Sequence, residues 1–110
     1  MEIAVETRDG ATVVTPRGRL DLLSAADVKA RLTQAVADGG KRLVVDLGEV
    51  SFVDSSGLGA LIGGLKAARQ GGGDLRIARP AEQARTILDL TTLNRVLRPY
   101  ATVEEALAGF

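Results

Sequence analysis

The chain has 110 residues, 45% hydrophobic and 25% charged, the length of one domain and the composition of a folded protein. Its 14 basic and 14 acidic residues cancel, so composition gives no reason to expect nucleic acid or an anionic membrane as partner. With neither cysteine nor histidine, it lacks disulfides, thiolate metal sites, the commonest metal ligand and the commonest general base, and no metal or cofactor is expected.

Ile3, Val5 and Thr7 alternate with Glu2, Ala4 and Glu6, the period of a strand with one buried face. Asp9-Gly10 supplies a tight turn before Ala11 to Thr15, so residues 2–16 read as a β-hairpin. Pro16 ends its second strand, and Gly18-Arg19-Leu20-Asp21 reads as a loop. Ser24 with Asp27 resembles a capping box for a helix with Val28, Leu32, Ala35 and Val36 on its apolar face. Gly39-Gly40 closes that helix with a left-handed cap.

Leu43 to Leu47 is an apolar run broken only by Asp46, as in a central strand covered on both faces, and it leads through Gly48 to Phe52. A polar corner follows, and then a helix that runs to about Gln70 and stops at Gly71-Gly72-Gly73. Leu75 and Ile77 form another strand, and Pro80 opens a third helix that buries Ala84, Ile87 and Leu88. Val96 and Leu97 suggest a short final strand, and Thr102 with Glu105 caps a last helix with Val103, Ala106, Leu107 and Phe110 on one face. The order β-β-α-β-α-β-α-β-α implies a single α/β domain over residues 1–110, with a mixed, mostly parallel sheet behind an N-terminal hairpin.

The polar corner is Asp54-Ser55-Ser56-Gly57, at the carboxyl end of a strand, where such sheets gather their ligand and partner surfaces. One polar side chain suffices to cap a helix, and here there are three, which leaves a hydroxyl at Ser55 available for chemical modification. A hydrolase reading fails because a serine nucleophile needs a base and there is no histidine, while a Ser-Lys pair would need Lys29, Lys41 or Lys66 buried at the corner. Gly57, Gly59 and Gly63 do not have the spacing of a dinucleotide fingerprint, and close packing of the helix on the sheet accounts better for Gly59, Gly63 and Gly64. Leu58 and Leu61 lie on the apolar stripe, with first-turn Leu58 open to partial exposure. The longest uncharged run, Ser55 to Leu65, is too short to span a bilayer, and Glu2 and Glu6 stand where a signal peptide would be basic and then apolar. The expected setting is the cytoplasm.

The run Leu43-Val44-Val45-Asp46-Leu47, the corner Phe52-Val53-Asp54-Ser55-Ser56-Gly57-Leu58-Gly59 and the upstream Gly18-Arg19-Leu20-Asp21 together resemble bacterial anti-sigma factor antagonists, small single-domain members of the STAS family. The resemblance covers nearly the whole chain and implies a regulator, not an enzyme. Its implied partner is an anti-sigma factor with serine kinase activity. The unphosphorylated antagonist binds that factor and releases the sigma factor; phosphorylation of the first corner serine, here Ser55, ends binding, and a serine phosphatase acting on phospho-Ser55 restores it. The implied partner surface is Asp21, Asp54, Ser55, Ser56, Gly57 and Leu58 on a monomer. The rival expectation is a STAS accessory or ligand-sensing subunit, for example of a lipid transporter.

Overall fold

A computed structural model describes residues 1–110. The hairpin is β1 (Glu2–Arg8) and β2 (Ala11–Leu20), antiparallel from Glu2 opposite Arg17 to Arg8 opposite Ala11. Asp9 and Gly10 both have positive φ, 51° and 78°, the local twist that a two-residue hairpin turn requires.

β2 does not stop at Pro16, and residues 18–20 are strand, not loop. The physical reason is a change of partner. Thr12–Val14 pair in parallel with β3 (Arg42–Asp46), whereas Gly18, Arg19 and Leu20 pair in parallel with β4 (Val50–Val53). Pro16, which has no N–H to donate, falls between the two ladders. The register shifts between Gly18 and Arg19, and Gly18 takes φ +113°, a conformation suited to a bulge.

The same division splits the apolar segment 43–52 into two strands. Leu47–Glu49 turn between them, with the Val50 N–H donating to Leu47 O at 3.0 Å. β5 (Asp74–Ala78) pairs with β3 and β6 (Pro99–Tyr100) with β5, so the six-stranded sheet runs β1-β2-β3-β5-β6 with β4 beside β2. Every pairing but that of β1 is parallel. The last strand therefore lies at Pro99–Tyr100, not at Val96–Leu97. A 3-10 turn over Leu93–Arg95 draws the Leu97 N–H onto Leu93 O and buries the Leu97 side chain.

The helices are α1 (Ala25–Ala37), α2 (Ser55–Gln70), α3 (Glu82–Leu90) and α4 (Val103–Ala108). α1 and α2 both end in the paired bonds of a glycine-terminated cap. Gly40 and Gly39 donate to Ala35 O and Val36 O, and Gly73 and Gly72 donate to Ala68 O and Arg69 O. Ser24 stands at the α1 N-cap, but its side chain makes no capping bond, so the expected box with Asp27 is not formed. α3 starts two residues after Pro80, because Arg79 is left-handed (φ +54°) and Ala81 is extended. At α4 the Thr102 hydroxyl accepts from the Glu105 N–H at 3.0 Å, as the spacing predicts.

Alternation along the strands divides the core. Val14, Leu43 and Val45 face the large cluster with Val28, Leu32, Leu61 and Leu65 of α1 and α2. Val13 and Val44 face the smaller one with Val103 and Ala106 of α4. Gly64 admits α1 and the sheet to α2, since a Cβ there would press on Leu32 and Leu75, and Gly63 lies against the Lys29 stem. Gly59 is exposed with nothing near it, so close packing does not account for it.

Asp46 is the one buried charge, 6% exposed. It accepts two bonds from Arg79, at 2.9 Å from Nε and 2.7 Å from Nη2, and a third from the Gly48 N–H at 3.0 Å. The Arg79 guanidinium lies so close over Gly48 that a Cβ there would overlap it. Hydrogen bonding to Asp46, reinforced by its charge, raises the Arg79 pKa above the ordinary arginine value. Glu49 does the same for Arg17, which ties β2 to the β3–β4 turn at 3.1 Å. Asp46→Ala removes the acceptor shared by Arg79 and Gly48, and urea unfolding should show a loss of about 1–3 kcal/mol; an unchanged midpoint would exclude this role.

Candidate functional site

The corner begins where β4 ends. Val53 lies opposite Leu20 of β2, and the Asp54 N–H continues that ladder by donating to Leu20 O at 3.2 Å. Asp54 then caps α2. Its backbone is extended, its Oδ1 accepts from the Gly57 N–H at 2.9 Å, and its carbonyl accepts from the Leu58 N–H at 3.0 Å. Gly57 is required here by contact, since a Cβ would overlap Leu20 O.

Because Asp54 does the capping, Ser55 is left at the first helical position with its side chain toward solvent. Ser56 is half-buried beside it. Gly57 and Leu58 are buried, Leu58 to 4% exposure, so they support the corner from beneath, and its accessible surface narrows to Asp21, Asp54, Ser55 and Ser56. Leu61 is fully buried, as its place on the stripe predicts.

Asp21 joins the corner through its own loop. The second carboxylate oxygen of Asp54 accepts from the Leu22 N–H at 3.2 Å, which fastens the β2–α1 loop to the start of α2. Within that loop Asp21 accepts from the Leu23 N–H at 3.1 Å and from Arg19 Nε at 3.3 Å, and Arg19 stacks over the Phe52 ring 4.3 Å from its centroid. The Ser24 hydroxyl donates to Arg19 O at 2.6 Å and accepts from the Asp21 N–H at 3.1 Å, which is why it is absent from the helix cap.

On its other side the corner is held by α3. The Gln83 side chain accepts from the Val53 N–H at 2.9 Å and donates to Val53 O at 2.7 Å, taking the place of a neighbouring strand two residues before Ser55. Nothing in the sequence pointed to Gln83, whose partner is thirty positions away. Nor did it single out Leu22 and Leu23, the exposed leucines of the Asp21 loop, although two consecutive apolar residues before Ser24 were a visible signal.

The site has carboxylate acceptors and a free hydroxyl, and Lys29 lies along Gly63, about two turns down α2 from Ser55. No cluster of carboxylates is gathered to hold a metal. Such a corner presents a hydroxyl able to receive a phosphoryl group. Gln83→Ala should speed amide exchange at Val53 by roughly 2- to 12-fold, the equivalent of a bond worth about 0.5–1.5 kcal/mol. Hydrogen exchange resolved at that amide measures it, and an unchanged rate would show the contact to be passive.

The STAS domain model matches residues 2–106. An anti-sigma-B factor antagonist of Staphylococcus aureus is 30% identical over 97 residues, covering 88% of this chain and 90% of that protein. The Bacillus subtilis protein of the same name is 28% identical over 97 residues, with 88% of each covered. Among solved structures, an anti-sigma factor antagonist from Mycobacterium paratuberculosis superposes with a TM-score of 0.88 at 29% identity, over 98% of this chain and 92% of that one. No helix of this chain is long and apolar enough to cross a membrane. With its model matched over nearly the full length and its fold reproduced by such relatives, the chain belongs to the STAS domain family.

Proposed function

We propose that this chain is an anti-sigma factor antagonist whose switch is Ser55. The antagonist activity follows from relatives of that name aligned over most of both chains. In its unmodified form the protein binds an anti-sigma factor and so releases a sigma factor for transcription. A serine kinase activity of that anti-sigma factor transfers the γ-phosphoryl group of ATP to Ser55 Oγ, with ADP as leaving group and the hydroxyl proton taken by a base on the kinase. A serine phosphatase returns the hydroxyl. The protein is substrate and regulator in this cycle.

The observation that carries this reading is the division of labour at the corner. Asp54 satisfies the helix cap, and Ser55, one residue on, stands exposed. A phosphate there adds about −1.5 to −2 charges. Within the fold it meets the N-terminus of a sixteen-residue helix, which favours an anion by about 0.3–1 kcal/mol. In an interface it would be desolvated beside Asp54, at a cost of about 2–5 kcal/mol if left unpaired. The second term is larger, so modification releases the partner and leaves the fold intact. The loss corresponds to a factor on the order of 30 to several thousand in affinity.

Incubation with ATP and the cognate anti-sigma factor, followed by intact mass and peptide mapping, should show one phosphate on Ser55 that Ser55→Ala cannot accept. In titration calorimetry Ser55→Ala should bind like the unmodified protein, and Ser55→Asp at least about tenfold more weakly, since it carries part of the phosphate charge. Equal affinities for all three proteins would sink the switch.

A further inference from the structure

Leu22 and Leu23 are 75% and 90% exposed and, with Leu90 at 80%, are the most exposed large hydrophobic residues of the chain. Leucines on a slack loop could fold inward, but this loop is not slack. Each backbone N–H from Asp21 to Ala25 has a partner: Ser24 Oγ for Asp21, Asp54 Oδ2 for Leu22, Asp21 Oδ1 for Leu23, and Asp21 O for both Ser24 and Ala25. The Ser24 hydroxyl closes the loop onto Arg19 O. Every backbone donor of the loop is committed, and the two side chains are held in water by it. A rigid apolar pair gives up little conformational entropy when it is covered, which is the property of an interface anchor.

The place of the pair identifies what covers it. The carboxylate that receives the Leu22 N–H is the one that caps α2 one residue before Ser55, so the leucines and the modifiable hydroxyl belong to one continuous surface. We propose that Leu22 and Leu23 are the apolar anchor of that surface and dock into an apolar pocket of the anti-sigma factor whose rim donates hydrogen bonds toward Asp21 and Asp54. This rests on the reading of the Ser55 corner as the partner surface. The leucines supply affinity and Ser55 supplies control, because seating the anchor brings Ser55 into the same desolvated contact. A phosphate on Ser55 therefore opposes anchoring without altering the leucines.

The test is titration of the cognate anti-sigma factor with the unphosphorylated variants Leu22→Ser and Leu23→Ser and with Ser55→Asp, with Leu90→Ser at the end of α3 as the exposed-leucine control. Thermal melts of each variant check folding. Removing either loop leucine should weaken binding about 10- to 100-fold with an unchanged melt, and Leu90→Ser should bind like the parent protein. Parent-like affinity in both loop variants, or an equal loss in Leu90→Ser, would overturn the anchor. So would self-association in sedimentation that Leu23→Ser abolishes while anti-sigma affinity is kept, since the leucines would then join two copies of this chain. If Ser55→Asp binds like the parent while the loop variants lose affinity, the anchor stands and the Ser55 switch fails.

Discussion

The two carboxylate oxygens of Asp54 hold separate parts of the chain: Oδ1 takes the Gly57 N–H in the first turn of α2, and Oδ2 takes the Leu22 N–H of the β2–α1 loop. An anion is well placed there, since it satisfies an orphan donor and faces the positive end of the helix dipole. The consequence reaches beyond the cap. With one side chain serving both loops, Asp21, the two leucines and Ser55 become a single surface instead of separate features of remote segments. The hydroxyl one residue further on is released from structural duty by the same arrangement.

Around that carboxylate the supports are stiff. Gln83 completes the open edge of β4 with both atoms of its amide, and Gly57 lets Leu20 O approach the first turn of α2. Further along the strand ends, Asp46 binds Arg79 and the Gly48 N–H together and fixes the turn from which β4 departs. Burying a carboxylate costs free energy that the bidentate guanidinium and the backbone donor offset. Its return is geometric: β4 leaves the turn after β3 in a set direction, pairs with β2 and delivers Asp54 to the α2 N-terminus.

The proposed switch separates the energetics of folding from those of binding. A charge added at an exposed helix start is neutral or slightly favourable within the domain, whereas the same charge in a closed interface must find a partner or pay for its desolvation. Mounting the hydroxyl on a rigid corner keeps the two effects apart, because the protein need not rearrange to respond. No histidine is present, and Lys29 lies about two turns along α2 from Ser55. On the proposed reading, another protein provides both the phosphate donor and the base.

Periodicity and turn chemistry determined much of this protein before any tertiary contact was known. The hairpin turn at Asp9-Gly10, the glycine caps of α1 and α2, the central strand and the Thr102 cap are local properties, settled by backbone conformations and by donors a few residues apart. The Asp54 to Gly57 corner was legible for the same reason, since a cap and its donor are three residues apart. What local rules misjudged lay where distant segments decide. Pro16 sits within β2 because two different strands flank it, and Ser24 abandons its cap for Arg19 O. Gln83 finds Val53 across thirty positions, and Leu22 meets Asp54 across thirty-two. The sequence alone determined that Ser55 stands at a helix start. Tertiary structure decided that Asp54 leaves its hydroxyl free and that a pinned pair of leucines shares its surface, because those bonds join segments whose proximity exists only once the sheet has formed.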